Sequence, residues 1–181
     1  PFEKCPRETR IKEVKISHNE DWQEKWMAQL TIYKKRAPYY STIMQLVRDV
    51  LSCDTQYISE MAISSVIKTC QYLGIELNYD VCSKMSLPLL EVEAPDEWAL
   101  RIAQAMQYDT YVNPPGGKAF FDANKYKKAN IELEFLTQEI QEYNQRVKEF
   151  IPGLSILDVM MFCDPEEIRG MMDSYKIEKG E

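Results

Sequence analysis

The chain has 181 residues with a net charge of −7, one histidine and five cysteines, enough for one domain of ordinary size with a real core. The acidic balance excludes a nucleic-acid surface: phosphate neutralisation needs a positive face, and the clusters Lys34–Lys35–Arg36 and Lys125–Lys127–Lys128 are too short to make one. Cys5, Cys53, Cys70, Cys82 and Cys163 form an odd set with no CxxC pair, which indicates neither a disulfide framework nor a zinc site.

No apolar run reaches the length of a membrane span, and the opening PFEKCPRETR carries no signal-peptide core, so a soluble, cytoplasmic protein is expected. The chain starts at Pro1 without an initiator methionine, which suggests processing or a piece of a longer polypeptide.

Ile11, Val14 and Ile16 form a short β-leaning run, and Ser17 and Asn19 are candidate caps for a helix from about Glu20 to Arg36. Trp22, Trp26, Leu30 and Tyr33 recur at helical spacing and predict a buried aromatic stripe, with Pro38 ending the helix. A second helix is expected over about Tyr39–Ser52, with Ile43, Leu46, Val47, Val50 and Leu51 inward. A third starts from an Asp54 or Thr55 cap and stops at Gly74. The pattern then changes to a strand near Ile75–Val81, an acidic segment, a helix near Asp96–Gln107 with Trp98, Ile102 and Met106 on one apolar face, and a strand near Tyr108–Val112, which reads as βαβ.

After a Pro-Pro-Gly-Gly loop, a short helix ends around Asn130. Ile131, Leu133 and Phe135 then alternate with Glu132 and Glu134 as in a strand with one wet face. Ser155 with Asp158 three residues on resembles a capping box, Asp164–Pro165 opens a final helix, and Lys176–Glu181 reads as a frayed tail. The fold class is therefore α/β, with a helix-rich first half and a small mixed sheet from strands near residues 11, 77, 110 and 133. No repeat or low-complexity linker argues for dividing residues 1–181.

The loop YDTYVNPPGGKAFFD is the first candidate for a site, because strand ends in α/β proteins are where ligands tend to sit. Amides around Asn113, Gly116 and Gly117 could face an anionic group, or simply close a tight turn; neither a Walker A nor a GxGxxG fingerprint is present. Asp122 and Asp158 could orient a hydroxyl or act as general base, and each also stands where a helix cap is expected. Tyr111, Tyr143 and Gln145 suit a carbohydrate-facing wall or a structural rim. His18 has no partner for a nucleophilic triad, and the cysteines sit in apolar patterns typical of buried small residues. No metal site is expected, and the residues name no cofactor.

The succession W22-QEKW, Y33-KKRAPYY40, L73-GIEL, Y111-VNPPGGKAFFD122, I131-ELEF135, Y143-NQ and F150-IPGLSILDVMMF162 resembles the WbqC-like family from about Arg7 to Arg169. The resemblance implies a role in bacterial surface-polysaccharide biosynthesis, with transfer of a glycyl or similar small acyl group onto a sugar as the suggested activity. It implies a pocket at Tyr111–Gly117 with Asp122 and the Tyr143–Asp158 region beside it, and a sugar or sugar nucleotide as partner. Two features depart from the family. Its first strand, with a Gln-Pro-x-x-x-Pro motif, has no counterpart here, so the domain is expected to be incomplete at its N-terminal side, with a free edge that would favour a homodimer. Its Lys-His pair reads Lys25-Trp26. A non-catalytic sugar-nucleotide-binding protein of the same pathway is the alternative, and a fragment of a nucleotide-binding enzyme is a third.

Overall fold

A computed structural model describes residues 1–19 and 21–181. Among the described residues there are seven α-helices: α1 (Trp22–Leu30), α2 (Tyr40–Leu51), α3 (Ile58–Leu73), α4 (Glu97–Ala105), α5 (Ala123–Lys128), α6 (Ile156–Phe162) and α7 (Pro165–Met172). Three strands, β1 (Thr110–Asn113), β2 (Glu132–Gln138) and β3 (Tyr175–Lys179), make one sheet. The class is α/β with a small mixed sheet and a helix-rich first half. The chain divides into two compact units, Pro1–Tyr79 with Gln141–Met171, and Asp80–Ile140 with Met172–Glu181.

The first unit is helical. Asp21 caps α1 by accepting from the Glu24 amide at 3.3 Å, so the cap lies beyond the Ser17 and Asn19 expected from sequence; the expected start at Glu20 is outside the described residues. Ile43, Met44, Val47 and Val50 recur along α2 at helical spacing and are buried. The first three share a core with Leu73, Met160, Met161, Cys163 and Ile168, which closes α2 onto α3, α6 and α7. Helix α3 ends as Gly74 turns left-handed at φ 68°, and the Arg169 guanidinium donates to the Leu73 carbonyl at 2.5 Å, satisfying an acceptor the helix end leaves open.

The second unit carries the sheet in the order β1-β2-β3, β1 parallel to β2 and β3 antiparallel to it. The parallel pair is joined through α5, so the βαβ unit is β1–α5–β2. Leu133 and Phe135 point to one face of β2 and pack with Leu100, Ala103 and Tyr126 of α4 and α5. Lys125 ties α5 to α4 through Asp96 at 3.1 Å and Glu97 at 2.9 Å. The hydrogen bond from Lys125, followed by the Glu93 amide, holds the Glu97 carboxyl below its ordinary range.

Four expectations are corrected here. Ile11–Glu13 is a 3₁₀ turn, and Lys15 and Ile16 make only isolated bridges to Tyr57 and Phe2, too little for a ladder. The alternation across Ile75–Val81 finds no partner strand and stays irregular, so α4 does not follow a strand. Helix α4 buries Glu97, Leu100 and Ala103 and leaves Trp98 54% exposed, because the Lys125 contact fixes which face turns inward. The tail expected to fray is β3, whose Gly180 amide also bonds the Leu133 carbonyl at 2.8 Å.

Tyr126 is fully buried, yet its hydroxyl has no hydrogen-bond partner among the described residues. A hydroxyl in that position costs about 1 to 3 kcal/mol of desolvation without a compensating bond. Tyr126→Phe therefore raises stability by about 1 kcal/mol in urea unfolding, and a loss of that size would refute the assignment.

Candidate functional site

Helix α6 begins at Ser155, whose hydroxyl accepts from the Leu157 amide at 3.3 Å and whose carbonyl accepts from the Asp158 amide at 2.8 Å. The cap is thus complete without the Asp158 side chain, which turns inward instead and is only 5% exposed. Its Oδ2 accepts from the Tyr33 hydroxyl at 2.7 Å, and its Oδ1 accepts from the Tyr143 hydroxyl at 2.5 Å and the Gln145 side-chain amide at 3.3 Å. All three donors are neutral, so a buried carboxylate is held by charge-assisted hydrogen bonds without a counter-ion among them.

Each donor arrives by a different route. Tyr33 ends the 3₁₀ turn Thr31–Tyr33 that extends α1, with its ring edge-on to Phe162 at 5.9 Å. Tyr143 lies in an irregular segment and packs edge-on to Phe150 at 5.4 Å. Gln145, 4% exposed, accepts from the Ile151 amide and donates to its carbonyl, both at 2.9 Å, and donates to the Tyr143 hydroxyl at 3.0 Å.

Burial, then the hydrogen bond to Asp158, pushes the Tyr33 phenol up to about 12, and the same two causes in the same order raise Tyr143. Both phenols hold their protons while their oxygens keep lone pairs for a ligand hydroxyl. Nearby Cys163 is pushed up to about 11, chiefly by burial and then by Glu167, Asp164 and Asp158, which makes it a poor nucleophile.

The residues expected at the site divide between the units. Tyr143, Gln145 and Asp158 come together in the first unit, joined by Tyr33, whose place in an apolar stripe suggested core packing alone; the polar end of its ring was the missed signal. Tyr111, Asn113, Gly116, Gly117 and Asp122 belong to the second unit. Asp122 is the exposed cap of α5, accepting from the Asn124 amide at 2.9 Å.

The Pro-Pro-Gly-Gly loop forms a 3₁₀ turn at Pro115–Gly117. Pro114 and Pro115 have no amide hydrogen, and the amides of Gly117 and Lys118 bond the carbonyls of Pro114 and Pro115 at 3.1 and 3.2 Å. Tyr111 donates to Asn113 at 2.9 Å, and Asn113 donates to the Pro114 carbonyl at 3.0 Å. A side chain at Gly117 would collide with Asn113 and the Phe121 ring, so this glycine serves close packing. The loop builds no concave group of several outward amides.

The first unit also holds a cavity of about 530 Å³, lined by residues of the chain start, α1, α2 and α3 and by none of the Asp158 cluster. Among the described residues no group of three or more His, Cys, Asp or Glu side chains is placed to hold a metal ion, and no helix is long and apolar enough to cross a membrane.

The model of the WbqC-like protein family matches residues 1–170, so the chain belongs to that family. No curated protein and no solved structure matches the chain.

Two outcomes follow for the cluster. Asp158→Ala leaves the Tyr33 and Tyr143 hydroxyls without their acceptor, while Gln145 keeps the Ile151 carbonyl, and lowers stability by about 2 to 4 kcal/mol in urea unfolding. Because the Tyr33 phenol is raised from 10.0 to about 12 in the folded protein, its contribution is complete below pH 10 and declines as pH rises towards 12. Ultraviolet titration of tyrosinate in wild type and Tyr33→Phe reports the missing high-pH group, and Asp158→Asn moves it part of the way down, since burial remains its largest cause.

Proposed function

We propose that this WbqC-like protein is a transferase of bacterial surface-polysaccharide biosynthesis that moves a glycyl or comparably small acyl group onto a sugar or sugar nucleotide. Membership of the family over residues 1–170 supports the pathway. The observation that carries the chemistry is the buried Asp158 with two protonated phenols bonded to it.

An acceptor hydroxyl hydrogen-bonded to the Tyr143 oxygen would lose its proton as its own oxygen attacks the acyl carbonyl. That proton passes to the phenol oxygen while the phenol proton moves to Asp158, so no free tyrosinate forms, and the activating group leaves the acyl carbon. Asp158 is the base at the end of the relay, and Gln145 fixes the geometry through Ile151. Asp122, the other carboxylate expected to act, caps α5 and takes no part in this scheme.

A second reading, sugar-nucleotide binding without catalysis, is favoured by one feature: both carboxylate oxygens of Asp158 already have donors inside the protein. The two readings differ in outcome. Incubation with an activated glycyl donor and a sugar acceptor, followed by mass spectrometry, yields an acylated sugar that Asp158→Asn reduces at least 100-fold and Tyr143→Phe by about 100-fold, each variant assayed at a temperature where circular dichroism shows it folded. Calorimetric binding of the sugar nucleotide with no modified product, unchanged in Asp158→Asn, would establish the binding reading instead.

A further inference from the structure

Strand β3 is the last in the order β1-β2-β3, so one of its edges has no neighbour among the described residues, and every residue along it is exposed. The phase of its ladder with β2 follows from bonds at either end. The Glu139 amide donates to the Ser174 carbonyl and the Gly180 amide to the Leu133 carbonyl, both at 2.8 Å. Hydrogen-bonded and non-bonded pairs alternate along an antiparallel ladder. In the register Gln138↔Tyr175, Leu136↔Ile177 and Glu134↔Lys179, the backbone groups of Lys176 and Glu178 therefore turn towards β2, and those of Tyr175, Ile177 and Lys179 turn outward. Among the described residues no strand takes up these outward amides and carbonyls.

The residues of the strand match this edge to a copy of itself. Turned end for end about Ile177, the run Tyr-Lys-Ile-Glu-Lys sets Tyr175 opposite the partner's Lys179, Ile177 opposite the partner's Ile177, and Lys176 opposite the partner's Glu178. Each outward amide then meets an outward carbonyl, and Lys176 and Glu178 fall at the non-bonded positions, where facing side chains stand closest. The two nearest registers that keep outward groups facing each other set Lys176 against Lys176 or Glu178 against Glu178, like charges directly opposite, and leave groups at the strand ends unmatched. Lysines on an edge ordinarily keep other strands away, and here one register alone neutralises them. The outer edge of β1 is a poorer template, since that strand spans only Thr110–Asn113 and runs into Pro114 and Pro115, which have no amide hydrogen.

We infer that the outer edge of β3 pairs antiparallel with the same edge of a second copy of the chain, two-fold about Ile177, so that one sheet β1-β2-β3-β3-β2-β1 runs through a homodimer. The edge is that of the last strand, not the one expected at the N-terminal side of the domain. The contact lies within the second unit and stands whatever the Asp158 cluster catalyses.

The test is sedimentation equilibrium of the full chain from about 1 µM to about 1 mM, a range set by the small area an edge contact buries, over which wild type passes from monomer to dimer. Ile177→Pro removes an outward amide but no bond to β2, and weakens the dimer by about tenfold or more with circular dichroism retained. Lys176→Glu and Glu178→Lys each weaken self-association by about tenfold at low salt, and mixing the two variants restores it, because the mixed pair again sets unlike charges opposite each other. In a background with the exposed cysteines removed, Cys5→Ser and Cys82→Ser, Ile177→Cys cross-links on mild oxidation about tenfold faster than Lys176→Cys or Glu178→Cys, since only position 177 faces itself. A chain that stays monomeric across the range, a dimer that Ile177→Pro leaves as tight, charge variants that do not recover on mixing, or faster cross-linking from position 176 or 178 overturns the proposal. If Ile177→Pro fails to fold, the mixing experiment decides.

Discussion

A carboxylate buried in an apolar unit must be supplied with donors, and the first unit is arranged around meeting that demand at Asp158. Three stretches distant in sequence converge to do it: the turn that ends α1, the segment around Tyr143–Gln145 and the start of α6. The segment 141–155 has no helix or strand, so its course depends on side-chain bonds, above all Gln145 pairing with Ile151 as a strand neighbour would. Deleting any one donor leaves the others to hold a charge that burial penalises, which is why such groups act as a unit.

The second unit solves its buried-polar problem differently. Asp96 and Glu97 meet a cation in Lys125, and the aromatic rings of Tyr111, Phe121 and Tyr126 pack on one another with centroids 5.7 to 6.0 Å apart. Gly117 lets Asn113 and Phe121 approach the turn, and Tyr111 holds Asn113 in place. The proline-glycine loop is the end of this packing, with its polar groups turned into local bonds. Its composition marks it as a turn at a strand end, and both the turn and the strand are there; what composition does not specify is where the amides point.

Helices were legible wherever one apolar face was long enough to repeat. Helix α2 and the Gly74 stop of α3 fall where 3.6-residue spacing and a left-handed C-cap put them. Strands were legible only where alternation coincided with a partner. Glu132–Phe135 has β1 beside it, whereas Ile75–Val81 alternates just as well and pairs with nothing, because periodicity reports an extended chain and not its neighbours. Tyr175, Ile177 and the charges between them alternate too, but every residue of β3 is exposed, so no buried face set it apart from a polar tail. At the site, Ser155 and Asp158 had the spacing of a cap, and the serine alone made it. The aspartate's role was fixed by two tyrosines brought from elsewhere in the chain, information that lies in tertiary packing.

Helix α1 ties these features of the first unit together. Its Trp22–Trp26 face was expected to be core, and helical spacing correctly placed the two rings on one side; Trp26 packs against the core of the first unit, and both rings also border an open groove. The same stripe runs on through Leu30, which is buried, to Tyr33, whose hydroxyl reaches Asp158. One end of the helix therefore walls a cavity while the other is pinned to a buried charge. Since α1 and its 3₁₀ extension form an almost continuous helical rod, the Tyr33–Asp158 bond limits how far the indole wall can move.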